Sequence, residues 1–452
     1  MSELLDLAET VVGAAGPGEG IEAYVAKGHD TDVRAYGGEV ESLASASSAG
    51  VGIRVVASAG EEGNRVGFAW AGSLDPAVVK ATLEEARDNA AYATPDSHVV
   101  LAEPDGVTPA ELDLWDPGFA TATTDQKVDL ALRLEQQVRN ADPRIRQVDS
   151  ADYGDGSVEV AIASTTGIRA TTRRTRAYLS VSAIAGAGGG SQTGSGFTVG
   201  RAFADLDPDR AAADAIERAV RMLGAGKARS GRCTVVFDPR VVSTLLSVVS
   251  SALSGEAVVK GRSFFADRVG EVVADPALTL VDDPTDVRAF GAAVFDAEGL
   301  ATRRNVLIEE GVLRSFVYDT VAARRAGTVS TGSAVRGGFA GTPGAGCRAV
   351  QLRPGELDQA AVLEAVGEAL YVQSVTGVHS GVNPVSGDFS VGAEGLMVRG
   401  GELTEPVREV TVASTLQRML RSLVHIGGDL EWLPGLAAGC TLAVGDMQLS
   451  GS

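Results

Sequence analysis

Hydrophobic residues near the start of the chain recur with helical spacing over residues 3–14. Over residues 21–70 the pattern changes to short alternating segments separated by glycine-rich turns, which predicts a small antiparallel sheet after the first helix. Asp75 as an N-cap, with Pro76 at the first helical position, predicts a second helix. Together these elements predict an N-terminal α+β unit over residues 1–92.

Residues 93–118 separate this unit from the next and have the composition of a connector. The segment holds four prolines, six carboxylates and no lysine or arginine, so it buries too little apolar surface to form an element of its own. After it the same order recurs: a helix near residues 125–141, several strands, and a closing helix opened by Asp207 and Pro208. We predict a second α+β unit over residues 119–228, and the repeated order suggests an old duplication.

The remaining residues, 229–452, are rich in predicted strands. A helix is predicted over about residues 239–253, and two hairpins are predicted to turn at residues 310–311 and 400–401. A short helix capped by Ser414 and a closing strand complete the pattern. The sequence therefore predicts an α+β protein in which two helix–sheet–helix units precede a larger β-rich C-terminal domain.

Net charge restricts the partners of this chain. Its 452 residues carry 39 lysines and arginines against 59 aspartates and glutamates, a net charge of −20. A surface this negative repels phosphate backbones and anionic lipid, so we expect neither nucleic acid nor a membrane among its partners. Apolar residues make up 44% and charged residues 22% of the chain, which is typical of a globular protein and not of a disordered one.

The cysteines and the N-terminal residues indicate a compartment. Cys233, Cys347 and Cys440 lie far apart and form neither a disulfide framework nor a CxxC zinc site. The first residues, MSELLDLAE, carry acidic side chains where a signal peptide needs cations, and no uncharged apolar stretch of about 18 residues follows. We expect a reducing, cytoplasmic location.

Few residues offer catalytic or metal-binding chemistry. No two of the four histidines lie within 40 residues of each other, which excludes a helical HExxH pair, and no serine lies in a GxSxG elbow. Two alternatives stay open: His379, His425 and Cys440 could converge on a metal ion, or Cys440 could act as a nucleophile with His425 as its base.

Glycine clusters over residues 186–200 and 327–346 lack the GxGxxG of nucleotide loops. They are interpreted as strand connections or as a loop that folds over a peptide.

The predicted helix at residues 239–253 has a polar face made of serines. Apolar residues cover the rest of the helix surface, so the helix should be buried between other elements of the fold. The polar face consists of Ser243, Ser247, Ser250, Ser251 and Ser254. These hydroxyls either bond back to helix carbonyls and permit close packing, or they mark a site whose working side chains have been lost.

Three stretches of the C-terminal domain resemble a known family. They read NVLIEEGVLRSFVYDTVAARRAG, GVNPVSGDFSVGAEGLMVRGGELTEPVREVTV and GGDLEW, and they are similar to the TldD/PmbA family, known historically as modulators of DNA gyrase and now as peptidases. The resemblance extends from about residue 10 to residue 449. It implies an α+β N-terminal part, a β-rich C-terminal domain, and a heterodimer of TldD and TldE (PmbA) subunits that encloses a cavity in which unfolded peptides are cut. TldD holds zinc with an HExxxH helix and a distant cysteine, whereas TldE lacks this motif.

The family segment that follows the zinc motif resembles LSGEAVVKGRSFF, and this match assigns the ligand positions. The two histidine positions fall on Leu246 and Ser251, the glutamate position falls on Ser247, and the family's cysteine ligand falls near Cys440. Leu246, Ser251 and Ser247 supply neither an imidazole nor a carboxylate base, and a single thiolate does not bind zinc tightly. The resemblance therefore implies a degenerate metal site with no catalytic residue and no cofactor in this chain, and zinc is expected in the partner subunit.

The favoured hypothesis is a non-catalytic subunit that resembles TldE. It would pair in a heterodimer with a zinc-bearing TldD-like paralogue and help to enclose unfolded peptides, which could be held by strand addition at a sheet edge. Two alternatives remain: a hydrolase in its own right, through Cys440 or a rearranged metal site, and a peptide-binding scaffold homodimer.

Overall fold

The computed structural model describes residues 2–186 and 190–451, so the glycine cluster at residues 186–200 lies partly outside the described residues. The N-terminal region follows the predicted order of helices and strands. Its elements are α1 (Ser2–Gly13), β1 (Glu19–Tyr36), β2 (Glu39–Ser58), β3 (Asn64–Ala71), α2 (Pro76–Tyr92), α3 (Thr124–Ala141), β4 (Ile145–Ser164), β5 (Arg169–Ala185), β6 (Gln192–Gly200) and α4 (Pro208–Val220).

The strands of both predicted units form one antiparallel sheet. Their order is β3-β2-β1-β4-β5-β6, and β1 pairs with β4 from Glu22 opposite Ser164 to Ala35 opposite Ala151. The first strand of each unit therefore lies at the centre of the sheet, and each unit contributes a helix, three strands and a closing helix. We call this sheet the N-terminal sheet.

The strands of the N-terminal sheet are longer than the short segments that the sequence pattern predicts. β1 runs through Gly28 and β2 runs through Gly50 without a turn. A Cβ on Gly28 would lie 3.0 Å from the Ser157 carbonyl oxygen, and one on Gly50 would lie 2.6 Å from the Phe339 ring. These glycines make room for a neighbouring segment and do not end the strand.

Helices α2, α3 and α4 begin at their caps. The Asp75 carboxylate accepts backbone N–H groups of the first turn of α2, and Asp207 does the same for α4. Thr123 and Gln126 form a reciprocal capping box at α3. The apolar stripes of these helices pack on one face of the N-terminal sheet, while the other face packs against the C-terminal domain.

Residues 93–118 hold no helix or strand in the described chain, apart from one isolated bridge at Asp96. The segment is nevertheless packed, because Leu101 and Leu114 are buried and the Leu114 carbonyl accepts the backbone N–H of Thr175. The connector thus lies along the N-terminal sheet.

The C-terminal domain is rich in short strands, as predicted. Its elements are β7 (Gly231–Phe237), α5 (Pro239–Ala252), α6 (Gly255–Val259), β8 (Leu280–Asp282), β9 (Asn305–Glu309), β10 (Val312–Leu313), α7 (Thr320–Arg325), β11 (Ala334–Val335), β12 (Gly344–Ala345), β13 (Val350–Leu352), α8 (Gln359–Val366), β14 (Ala369–Thr376), α9 (Val378–Gly381), β15 (Asp388–Arg399), β16 (Glu402–Thr415), α10 (Leu416–Arg421), β17 (Leu423–Ile426), β18 (Glu431–Trp432), β19 (Ala438–Gly439) and β20 (Leu442–Ser450).

The largest sheet of this domain closes into a barrel. Its order is β16-β15-β14-β7-β20-β17, and a further pairing of β16 with β20 closes the barrel, while β17 pairs with the other end of β20. The β9–β10 hairpin turns at Glu310 and Gly311 and the β15–β16 hairpin at Gly400 and Gly401, all with positive φ. Both predicted hairpins are confirmed, as is the α+β class.

The predicted cap at Ser414 is wrong by one residue. Ser414 belongs to β16, and the Thr415 hydroxyl accepts the backbone N–H of Arg418 at the start of α10. The helix ends at Arg421, and Leu423 pairs with Val444 as part of β17. Within the described residues, no helix is both long and apolar enough to cross a membrane.

Candidate functional site

Helix α5 lies between the barrel and the short strand β19. Its N-cap is the buried Asp238, whose carboxylate accepts the Arg240 backbone N–H and also binds the Arg218 guanidinium at 2.5 Å and the Tyr371 hydroxyl at 2.6 Å. The apolar residues of α5 belong to the main core of the C-terminal domain. The helix is therefore the buried layer that its pattern predicts.

Each hydroxyl of the serine face donates to a main-chain carbonyl. Ser247, Ser250 and Ser251 donate to carbonyls three or four residues earlier in α5, at 2.7 to 2.9 Å. Ser243 and Ser254 donate to segments packed against the helix, at 2.7 and 2.9 Å. These hydrogen bonds are the ones that the close-packing interpretation expects.

The positions assigned to zinc ligands carry side chains that do not fit zinc. Leu246 is 5% exposed in the core, and Cys440, which follows β19, belongs to the same buried cluster. Ser247 and Ser251 are engaged by their own helix. A hydrocarbon, two hydroxyls and one thiol offer neither the imidazoles nor the carboxylates that hold catalytic zinc.

The two alternatives built on Cys440 find no support in the geometry. The thiol is buried, and its burial together with the negative charge of Asp429 raises the pKa of Cys440 to about 12, so it stays a poor nucleophile at neutral pH. In residues 2–186 and 190–451 no hydrogen bond joins Cys440 to His425. In the same residues, no group of three or more His, Cys, Asp or Glu side chains that could hold a metal forms, so His379, His425 and Cys440 do not converge on one.

A cleft between the N-terminal sheet and the C-terminal domain holds a second candidate site. Three cavities of about 300, 550 and 100 Å³ lie in it, and Arg174 of β5 lines all three. We call this region the arginine cleft. The second glycine cluster, residues 327–346, covers part of this cleft, because residues 337–340 line the first cavity. The Phe339 side chain lies over Gly50, and its ring centroid is 6.0 Å from that of Trp70.

Strand register explains the electrostatics of this cleft. One row across the N-terminal sheet reads Asp30, Gly156, Arg176, and the Arg176 Nη2 donates to Asp30 Oδ1 at 2.9 Å. Gly156 is required between them, because a Cβ there would overlap the Asp30 carboxylate. The adjacent row reads Gly28, Val158, Arg174 and contains no carboxylate. Arg174 therefore faces the cleft without a carboxylate partner in its own row of the sheet.

The arginine cleft was not among the sites predicted from the sequence. A signal was present, because four arginines (Arg169, Arg173, Arg174 and Arg176) stand within eight residues of a chain with a net charge of −20. The alternation of β5 puts Arg174 and Arg176 on the cleft side. Only the register with β1 and β4 distinguishes the paired arginine from the unpaired one.

Comparisons with known proteins agree with the resemblance. Models of the PmbA/TldA metallopeptidase family match the chain with domain 1 at residues 21–90, the central domain at residues 117–223 and the C-terminal domain at residues 230–451. The metalloprotease PmbA of Escherichia coli O157:H7 is 30% identical over 441 residues, which cover 97% of this chain and 94% of that protein. The chain belongs to the PmbA/TldD metallopeptidase family.

Other relatives extend the likeness over the whole chain. The metalloprotease PmbA homolog of Haemophilus influenzae is 28% identical over 439 residues, 96% of this chain and 93% of that protein. A Bacteroides thetaiotaomicron structure described as a candidate modulator of DNA gyrase is 28% identical with a TM-score of 0.87 over 100% of both chains. TldE from Thermococcus kodakarensis, at 23% identity and a TM-score of 0.88 over 100% of both chains, has the same fold.

Proposed function

We propose that this chain is a subunit of a TldD/TldE-type zinc metalloprotease and holds no catalytic metal of its own. It pairs with a zinc-bearing TldD-like paralogue, and the two chains enclose the space in which unfolded peptides are cut. The observation that carries the proposal is α5, where the zinc-ligand positions hold the buried Leu246 and the engaged hydroxyls of Ser247 and Ser251. Membership of a metallopeptidase family supports peptide cleavage as the activity of the complex.

A free strand edge supports the binding of extended peptides. β3 pairs only with residues 51–58 of β2, so in the described chain residues 39–48 of β2 have no strand partner on that side. These residues are all exposed. An extended peptide that adds to this edge is held through its backbone, which suits substrates of varied sequence.

Charge and cysteine chemistry support a cytoplasmic protein that does not bind DNA. Cys233, Cys347 and Cys440 are free thiols, which fits a reducing compartment. The net charge of −20 disfavours contact with phosphate backbones, so we assign no direct role at DNA to this chain.

The proposal is tested by purifying the chain and a TldD-like paralogue separately and together, with an unfolded peptide as substrate. Peptidase activity is expected only in the mixture. It should vanish when the glutamate of the paralogue's HExxxH motif is changed to glutamine. The matched change here, Ser247→Ala, should leave activity unaltered because this hydroxyl only bonds to its own helix.

Two outcomes would contradict the proposal. Activity of the isolated chain that is lost on Cys440→Ala or His425→Ala would establish the hydrolase alternative. Full activity of the paralogue alone, with no gain on mixing, would leave a peptide-binding homodimer as the better account.

A further inference from the structure

Arg174 differs from the other arginines around the arginine cleft in having no acceptor. Arg336 donates to Glu22 Oε1 at 2.6 Å, Arg176 to Asp30 at 2.9 Å, and Arg201 to the Val287 carbonyl at 3.0 Å. Within the described residues, Arg174 makes neither a hydrogen bond nor an ion pair. A guanidinium carries five N–H donors, so this side chain has its full donor capacity available.

The surroundings of Arg174 are positive although the chain as a whole is negative. Burial and the charges of Arg348 and Arg176 lower the pKa of Arg174 to about 10, so it is still protonated at neutral pH but poorly compensated. An anion entering the cleft would relieve this repulsion and replace the water lost by the guanidinium.

The carboxylates that line the cavities are already engaged. Asp30 binds Arg176, and Asp205 accepts the backbone N–H groups of Arg201 and Ala202 at 2.9 Å. Asp296 accepts three backbone N–H groups of its own domain, and burial raises its pKa to about 7. The chain itself therefore offers Arg174 no free carboxylate from the cavity walls.

Tyr24 supplies a second donor at the same place. It lines two of the three cavities with Arg174 and is 9% exposed, and its hydroxyl has no hydrogen-bond partner in the described residues. Burial raises the pKa of Tyr24, so the group remains an O–H donor. Arg174 and the Tyr24 hydroxyl thus face one space, and the carboxylates that line it already accept hydrogen bonds from other groups.

We propose that Arg174 and Tyr24 form a subsite for a carboxylate of the bound peptide. The largest cavity continues from Arg174 along the apolar side chains of Val287, Phe290 and Trp432. It suits a residue that carries both a carboxylate and an apolar side chain, such as the C-terminal residue of a peptide; an acidic side chain presents the same group. This inference rests on the proposed function, since it assumes that peptides enter the cleft.

The test uses the full chain and four peptides of one sequence, with a free or amidated C-terminus and with glutamate or glutamine at one internal position. Calorimetry measures their binding to the native protein, to Arg174→Gln and to Arg173→Gln. Arg173→Gln is the matched control, because it removes the same charge from the preceding residue, whose side chain lies over Trp115. Removal of the uncompensated Arg174 charge is not expected to lower the melting temperature, which is measured in parallel.

The native protein and Arg173→Gln should bind at least one carboxylate peptide about 10-fold more tightly than its neutral counterpart, which is the preference expected for one charge-assisted contact of about 1.4 kcal/mol. Arg174→Gln should abolish that preference, and the peptide pair that shows it identifies the carboxylate. Equal binding of charged and neutral peptides, or a preference that survives in Arg174→Gln, would overturn the subsite. Failure of the proposed function gives a different result: the mixture of this chain with the paralogue lacks peptidase activity, while the preference for the carboxylate peptide persists.

Discussion

Glu22 binds Arg336 across the boundary between the N-terminal sheet and the C-terminal domain, with 2.6 Å between Glu22 Oε1 and Arg336 Nη2. The second carboxylate oxygen of Glu22 binds Arg54, its neighbour in β2, at 2.5 Å. The three side chains are at most 7% exposed. One carboxylate of the sheet thus holds guanidinium groups from both parts of the protein, next to the arginine cleft.

Removing this carboxylate should destabilise the fold strongly. Glu22→Gln leaves Arg336 and Arg54 buried with less compensation, and loss of one member of a buried ion pair costs about 3–5 kcal/mol. Urea unfolding measures the change. Glu309→Gln is the control, because its ion pair with Arg314 is about half exposed and its loss should cost less than about 1 kcal/mol. Equal effects of the two changes would contradict a structural role for the buried pair.

Stability should decrease as the pH rises through the neutral range. Burial and the charge of Glu298 raise the pKa of Asp296 to about 7 and that of Asp319 to about 6, while Arg348 offsets this only in part at Asp296. Because both folded-state values exceed the unfolded value of 3.8, the folded state holds these protons more tightly. Their contribution is complete below about pH 4 and is lost as the pH passes through about 6 to 7, at no more than about 1.4 kcal/mol per pH unit for each group.

Asp296→Asn isolates this effect. Asparagine resembles the protonated acid, so the variant should lose less stability than the native protein between about pH 5 and about pH 8 when urea unfolding is followed at each pH. A decrease of equal size in both proteins would show that Asp296 does not titrate in this range.

Gly52 should tolerate no side chain. A Cβ at this position would overlap the carbonyl oxygen of Phe339 in the segment that covers the arginine cleft. Gly52→Ala should therefore cost about 1–3 kcal/mol through overpacking, as measured by thermal unfolding. Gly231→Ala, at the open start of β7, has nothing within 4 Å of its new methyl group and should change stability by less than about 0.5 kcal/mol. A neutral Gly52→Ala would mean that the cover can move away freely.

Cys440 should react slowly with alkylating agents. Its pKa of about 12 and its full burial keep the thiolate population very small, whereas Cys233 is partly exposed. Iodoacetamide labelling followed by peptide mass spectrometry should modify Cys233 before Cys440 in the native protein, and both equally in denaturant. Rapid labelling of Cys440 in the native protein would contradict this prediction and favour the thiol hydrolase alternative.

Local signals explain what could be predicted from the sequence. Asp75 and Asp207 begin their helices because each carboxylate caps the first turn, and the glycine turns at residues 310–311 and 400–401 close their hairpins as expected. These features depend on a few neighbouring residues. The serine face of α5 also behaves as its composition indicates.

Long-range register could not be predicted in the same way. Glu22 and Arg336 are 314 residues apart in the chain, and no local pattern pairs them. Arg174 and Arg176 look alike in sequence, and only the order β1-β4-β5 gives one of them an aspartate and the other a valine and a glycine as neighbours. The arginine cleft is a product of this order, so local sequence patterns could not predict it.

The zinc content of the chain, purified without any paralogue and measured by plasma mass spectrometry, tests the central claim most directly. Because α5 offers leucine and serine where a metal would need imidazole and carboxylate, we expect zinc far below one equivalent, both before and after incubation with the metal. About one zinc per chain that survives dialysis would contradict the assignment of a subunit without a metal site.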